Sequence, residues 1–89
     1  MAKDTDQKLK KAILEVISIQ IRDNDPPETK QALIRLQKQG FTEEEALKLI
    51  GFVVASEVFG VIKENRPYDK AKYTAALNNL PKLPWDKEA

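Results

Sequence analysis

Ala46 to Ile62 reads ALKLIGFVVASEVFGVI, and its pattern is that of a helix with no polar side. Twelve of its seventeen residues are apolar, the exceptions being Lys48, Gly51, Ser56, Glu57 and Gly60. A helix that is hydrophobic all round has to be covered on every side. In a chain of 89 residues a few helices cover it only in part, and small domains often complete their burial by oligomerising. At 100° per residue Gly51 and Ala55 fall about 40° apart, as do Ser56 and Gly60, the two pairs being roughly 140° from each other. Each pair is a seam where a neighbouring helix can approach closely, and two seams place this helix centrally.

Immediately upstream, Gly40-Phe41-Thr42-Glu43-Glu44-Glu45 is the clearest local signal. Gly40 suits the left-handed residue that ends a helix. Thr42 and Glu45 have capping-box spacing, and Phe41 is placed to staple the start of the third helix. The three glutamates sit against the positive end of its dipole as a solvated helix start. Further upstream, Asn24-Asp25-Pro26-Pro27-Glu28 separates a first helix, expected from about Thr5 to Asp23, from a second that runs to Gln39. Asp25 and Glu28 carry capping-box spacing there, and Ala32, Leu33 and Leu36 are expected inward.

The first helix places Leu9, Ala12, Ile13, Val16, Ile17 and Gln20 on one face. One stripe cannot also hide Leu14, Ile19 and Ile21, which become candidates for an interaction surface. Downstream, the third helix should reach about Asn65. Arg66-Pro67-Tyr68 makes a turn, and Asp69 caps a fourth helix, Lys70 to Leu80, with Tyr73, Ala76, Leu77 and Leu80 inward. The tail Pro81-Lys82-Leu83-Pro84-Trp85 cannot continue as helix. It is expected to pack on the surface with Trp85 as its anchor, in cis or on a second subunit. The expectation is one all-α domain over residues 1–89, with 1–4 disordered and 81–89 the tail. Its architecture is a four-helix orthogonal or irregular bundle around the third helix.

Composition narrows the chemistry. Fifteen basic residues against fourteen acidic ones leave a net charge of +1, which gives no general attraction to nucleic acid or an anionic membrane. Lys3, Lys8, Lys10 and Lys11 form the one basic cluster, read as a solvated helix start. The chain has neither cysteine nor histidine, so thiol chemistry, Cys-type metal sites and the commonest general base are excluded. No cofactor or metal is expected, and no catalytic constellation is visible. The N-terminus lacks a signal-peptide pattern and the longest apolar stretch is too short to span a bilayer comfortably; a soluble cytoplasmic protein is expected.

Glu57 is the one chemically suggestive side chain, since it projects close to the direction of Ile50, Val53 and Val61. A carboxylate so placed must pair, raise its pKa or reach water. A general acid/base or ligand-binding site is the sharper reading. A structural pairing with Arg22, Arg66, Tyr73 or a backbone N–H is favoured.

Two resemblances attach to these residues. Leu36 to Ala46 superficially resembles the turn of ubiquitin-associated domains, although the following helix is about twice the length used there. More widely, Gln20, Asp25-Pro26-Pro27-Glu28, Leu33, Leu36, Gly40, Glu45-Ala46, Ile50, Glu57, Arg66-Pro67-Tyr68, Tyr73 and Leu77 resemble a family of small bacterial helical proteins of undefined function. That resemblance runs from about Ile13 to Leu80 and implies an all-helical fold. Many members carry histidines on the first and third helices that suggest a metal site. Here the matching region holds Leu14, Glu44 and Lys48, so no metal function carries over. The sequence thus points to a small non-enzymatic interaction or structural protein. It is expected to homodimerise through apolar surface that includes Leu14, Ile19, Ile21 and Trp85. A further protein partner is open, a membrane role is excluded and nucleic-acid binding ranks third, after a Glu57-centred site.

Overall fold

The computed structural model describes residues 2–86, with side chains from Gln7 onward. It contains four helices and, among the described residues, no strand: α1 (Ala2–Asp23), α2 (Pro27–Lys38), α3 (Glu43–Glu64) and α4 (Lys70–Asn79). Helix α1 thus begins three residues before the expected Thr5, at Ala2. Met1 and the last three residues of the tail lie outside the described residues.

Local chemistry explains where each helix stops. Asn24, Gly40 and Asn65 take positive φ, at 52°, 105° and 50°. Asparagine and glycine bear the left-handed conformation with least penalty. At Gly40 the amide donates to Gln37 O while Phe41 N–H donates to Leu36 O, both at 3.1 Å, the paired bonds of a Schellman ending. The Thr42–Glu45 capping box then opens α3, with Glu45 N–H on Thr42 Oγ1 at 3.1 Å and Thr42 N–H on Glu45 Oε1 at 2.9 Å. Asp69 caps α4 by accepting from Lys72 N–H at 3.0 Å. The expected Asp25–Glu28 box does not form. Pro27 forces Pro26 into extended geometry, so Pro26 occupies the cap position with no side-chain bond. Asp25 turns instead to Lys70 Nζ, 3.1 Å away.

Helices α2 and α3 each pack against all the others, so α3 shares the centre with α2. Helices α1 and α4 lie too far apart for backbone contact. The core joins all four through Ile17, Ala32, Leu36, Ile50, Val53, Tyr73, Leu77 and their neighbours. Within it, Gln20 Oε1 accepts from Thr29 Oγ1 at 2.7 Å and from Tyr73 Oη at 2.9 Å, tying α1 to both α2 and α4. Arg35 of α2 donates to the carbonyls of Leu77 and Leu80 at 3.2 and 2.7 Å. It thereby gives the Leu80 carbonyl a donor at the end of α4 and adds a second to that of Leu77, which also accepts from Leu80 N–H. No buried side-chain polar atom among the described residues lacks a partner.

Helix α1 keeps Ile13, Ile17 and Gln20 of its expected face inward but leaves Leu9, Ala12 and Val16 exposed. Ile17 is buried and Ile13, Leu14 and Ile21 pack partly against the core, whereas Leu9 and Val16 are exposed. A 22-residue helix with apolar residues on several sides can present more than one stripe, and the partners available on α2 and α3 select among them. After α4, Leu83 is partly buried against the core. Asp86 N–H donates to Leu83 O, and Leu83 N–H to Asp86 Oδ2, both at 3.0 Å.

Candidate interaction surface

Glu57 sits on the inward side of α3 and is 8% exposed. Arg66, from the α3–α4 turn, forks onto it: Nη1 donates to Oε2 at 2.8 Å and Nη2 to Oε1 at 3.1 Å. The backbone N–H of Asp69 donates to Oε2 at 3.0 Å. Arg66 also donates through Nε to Glu64 Oε1 at 2.6 Å and through Nη1 to Pro67 O at 3.1 Å. The Arg66 hydrogen bonds, helped by the Asp69 amide, hold the Glu57 carboxyl below the usual carboxylate range against the opposing effect of burial. The same bonds raise Arg66 above its ordinary value. A carboxylate with both oxygens engaged and its charged form favoured is a poor proton donor. The adjoining cavity is about 20 Å³, bordered by Ser56, Lys72, Tyr73 and Pro84, room for about one water. Glu57 therefore clasps the start of α4 to α3.

The arginine also explains Gly60. A Cβ there would lie 2.6 Å from Arg66 Nη2. The Ser56–Gly60 seam read as a groove for a neighbouring helix instead makes room for a guanidinium. Gly51 does serve a helix, since its added Cβ would stand 3.3 Å from Ile13 Cγ2 of α1.

The larger feature lies on the opposite side of α3. A groove of about 600 Å³ opens between the first half of α1 and the first half of α3. Leu9, Ile13 and Leu14 form one wall, Leu47, Gly51, Phe52 and Ala55 the other, and Lys10, Glu43, Glu44 and Lys48 complete the lining. Beyond it the outer face of α3 stays uncovered: Val58 is 52%, Phe59 63% and Ile62 74% exposed. Phe52, Ala55, Phe59 and Ile62 recur at spacings of three and four, which is the seam periodicity of packed helix pairs. Leu9, Ala12, Val16 and Ile19 repeat it on α1, all four exposed. Leu9 and Phe52 bring the two stripes to one groove. Trp85 extends this surface, its ring set edge-on to Phe52 at 5.9 Å and 56% exposed.

The four surface candidates read from the sequence divide accordingly. Ile19 and Trp85 are exposed, while Leu14 and Ile21 pack partly against the core. Of the latter, Leu14 still lines the groove. Leu9, Phe52, Val58, Phe59 and Ile62 were not singled out as surface residues. For Phe52, Phe59 and Ile62 the signal was present as the three–four spacing on the side of α3 away from Ile50 and Glu57. Among the described residues no helix is long and apolar enough to cross a membrane, and no cluster of three or more acidic side chains is placed to hold a metal ion.

Taken together, fold and surface define a small all-helical protein with one clasped ion pair inside and one broad apolar face outside. Comparison with protein-family models, with curated proteins and with solved structures finds no match to this chain.

Proposed function

We propose that this protein is a non-enzymatic interaction protein that works as a homodimer, the two copies meeting through the outer face of α1 and α3. The observation that carries this reading is the pair of exposed apolar stripes flanking one groove. At about 200 Å² for a large apolar residue, the exposed fractions of Leu9, Val16, Ile19, Phe52, Val58, Phe59, Ile62 and Trp85 leave roughly 800 Å² in water. A standard interface covers about 800 Å² per partner, and patches of this size on a lone chain mark interaction sites. A second copy is the occupant favoured here because the two stripes repeat one spacing and a twofold axis sets like faces together. The irregular four-helix bundle and the tail docked beside Phe52 belong to this proposal, as does kinship with the small bacterial helical proteins. The kinship draws support from the interlocking of the residues that suggest it. Asp25 reaches Lys70, Gln20 meets Tyr73, and Arg66 clasps Glu57.

Sedimentation equilibrium at micromolar to high micromolar concentration is the direct test, with a dimer expected. A monomer throughout that range overturns the proposal. A site built on Glu57 is the weaker alternative, because its oxygens are already engaged by Arg66 and Asp69. The near-neutral charge leaves nucleic acid behind both.

A further inference from the structure

We infer that the two copies pair with their α3 helices antiparallel, the Phe59–Ile62 end of each filling the partner's groove beside Gly51 and Ala55. This rests on the homodimer proposed above and adds its geometry. The outer face of α3 is not uniform along its length. Beside its first half, a groove of about 600 Å³ opens against α1, lined by the half-buried Ala55 and, beneath it, by Gly51, which is buried against Ile13. Its second half carries Phe59 and Ile62, 63% and 74% exposed, with Val58 beside them. Hollow and projection are offset by about seven residues, or ~10 Å along the helix.

A twofold axis perpendicular to α3 and close to Ser56 sets each projection into the other copy's hollow. A parallel pair would instead face hollow to hollow and Phe59 to Phe59. Charge points the same way. The first turn of α3 is Glu43-Glu44-Glu45, and its last turn carries Lys63 beside Glu64. With the axis near Ser56, antiparallel pairing sets Glu64 opposite the partner's Lys48 and opposes the helix dipoles, whereas parallel pairing sets three glutamates beside three glutamates.

The chain has no cysteine, so single thiols can be introduced cleanly. Lys48 and Lys63 are exposed and flank the seam at opposite ends. A short bis-maleimide should link Lys48→Cys to Lys63→Cys in a mixture of the two proteins, and should link neither to itself. Self-linking of either variant alone means a parallel pair and overturns the inference. A dimer by sedimentation that links in no combination also overturns it, while leaving dimerisation in place; a monomer removes both. Phe59→Ala, counted twice in a twofold dimer, should weaken association by at least about 100-fold at unchanged helicity. Ile34→Ala, exposed on α2 away from the groove, should leave it unaltered, and equal weakening by both would count against the assigned contact.

Discussion

Glu57 shows how a residue that looks reactive in a sequence can be structural in the fold. Its position among Ile50, Val53 and Val61 marks it as inward, and Arg66 nine residues on lies among its possible partners. What the linear chain does not disclose is that the left-handed Asn65 reverses the backbone so that the guanidinium meets the carboxylate as a fork. The pH dependence follows from the direction of the shift. The folded carboxyl titrates below its ordinary value near 4.5, so its contribution is complete above that value. It declines as the pH falls from there through the depressed folded value, where the unfolded chain binds the proton first. Glu57→Gln should therefore cost about 1–3 kcal/mol at neutral pH, a buried charge-assisted pair partly open to water. It should also flatten the acid limb, so that mutant and wild-type curves converge toward low pH. Urea unfolding across the acid range reads both effects. An acid limb as steep in the mutant as in the parent would assign it to other carboxylates.

At the scale of elements, the joint between α2 and α3 is legible because every signal in it is local. Gly40, Phe41, Thr42 and Glu45 satisfy backbone groups within a few residues, and no distant partner is needed. The turn between α1 and α2 was misread because two adjacent prolines shift the cap to Pro26, leaving Asp25 for Lys70, which is 45 residues away. The face of α1 was misread for a related reason. Gln20 lies on the expected face and is held inward by Thr29 and Tyr73, but Leu14 and Ile21 also find cover against the core while Leu9 and Val16 do not. The α2–α3 joint should be sensitive where it is local. Gly40 has φ of 105° and open space around an added Cβ, so Gly40→Ala carries a backbone cost of about 1–2 kcal/mol with no clash. Thr42→Ala should remove about 1 kcal/mol through the lost cap, and Asp25→Ala should leave α2 nearly unchanged, since its side chain caps nothing there. Thermal unfolding of the three variants gives the ranking, and an Asp25→Ala loss equal to that of Thr42→Ala would contradict the observed cap.

For the molecule as a whole, the apolar character of α3 resolves into two unlike halves around its circumference. One side carries Ala46, Ile50, Val53, Val54 and Glu57 into the core. The other carries Phe52, Ala55, Phe59 and Ile62 outward, and neither α2 nor α4 reaches it. The total apolar content was readable from composition and periodicity, whereas the division required the positions of the other helices. If a second copy covers the outer side, folding and association share one equilibrium. Ligand-like stabilisation then grows with the logarithm of protein concentration. Each tenfold rise in concentration above the dissociation constant adds about 1.4 kcal/mol of apparent stability per mole of dimer interface formed. The melting temperature should therefore climb steadily with concentration for the parent chain. Phe59→Ser, which leaves the core untouched, should abolish that climb and hold the melting temperature at the value the parent shows when dilute. A concentration-independent parent would mean that the outer face of α3 contributes nothing to its stability through self-association. A Phe59→Ser variant that still climbs would move the interface away from the second half of α3.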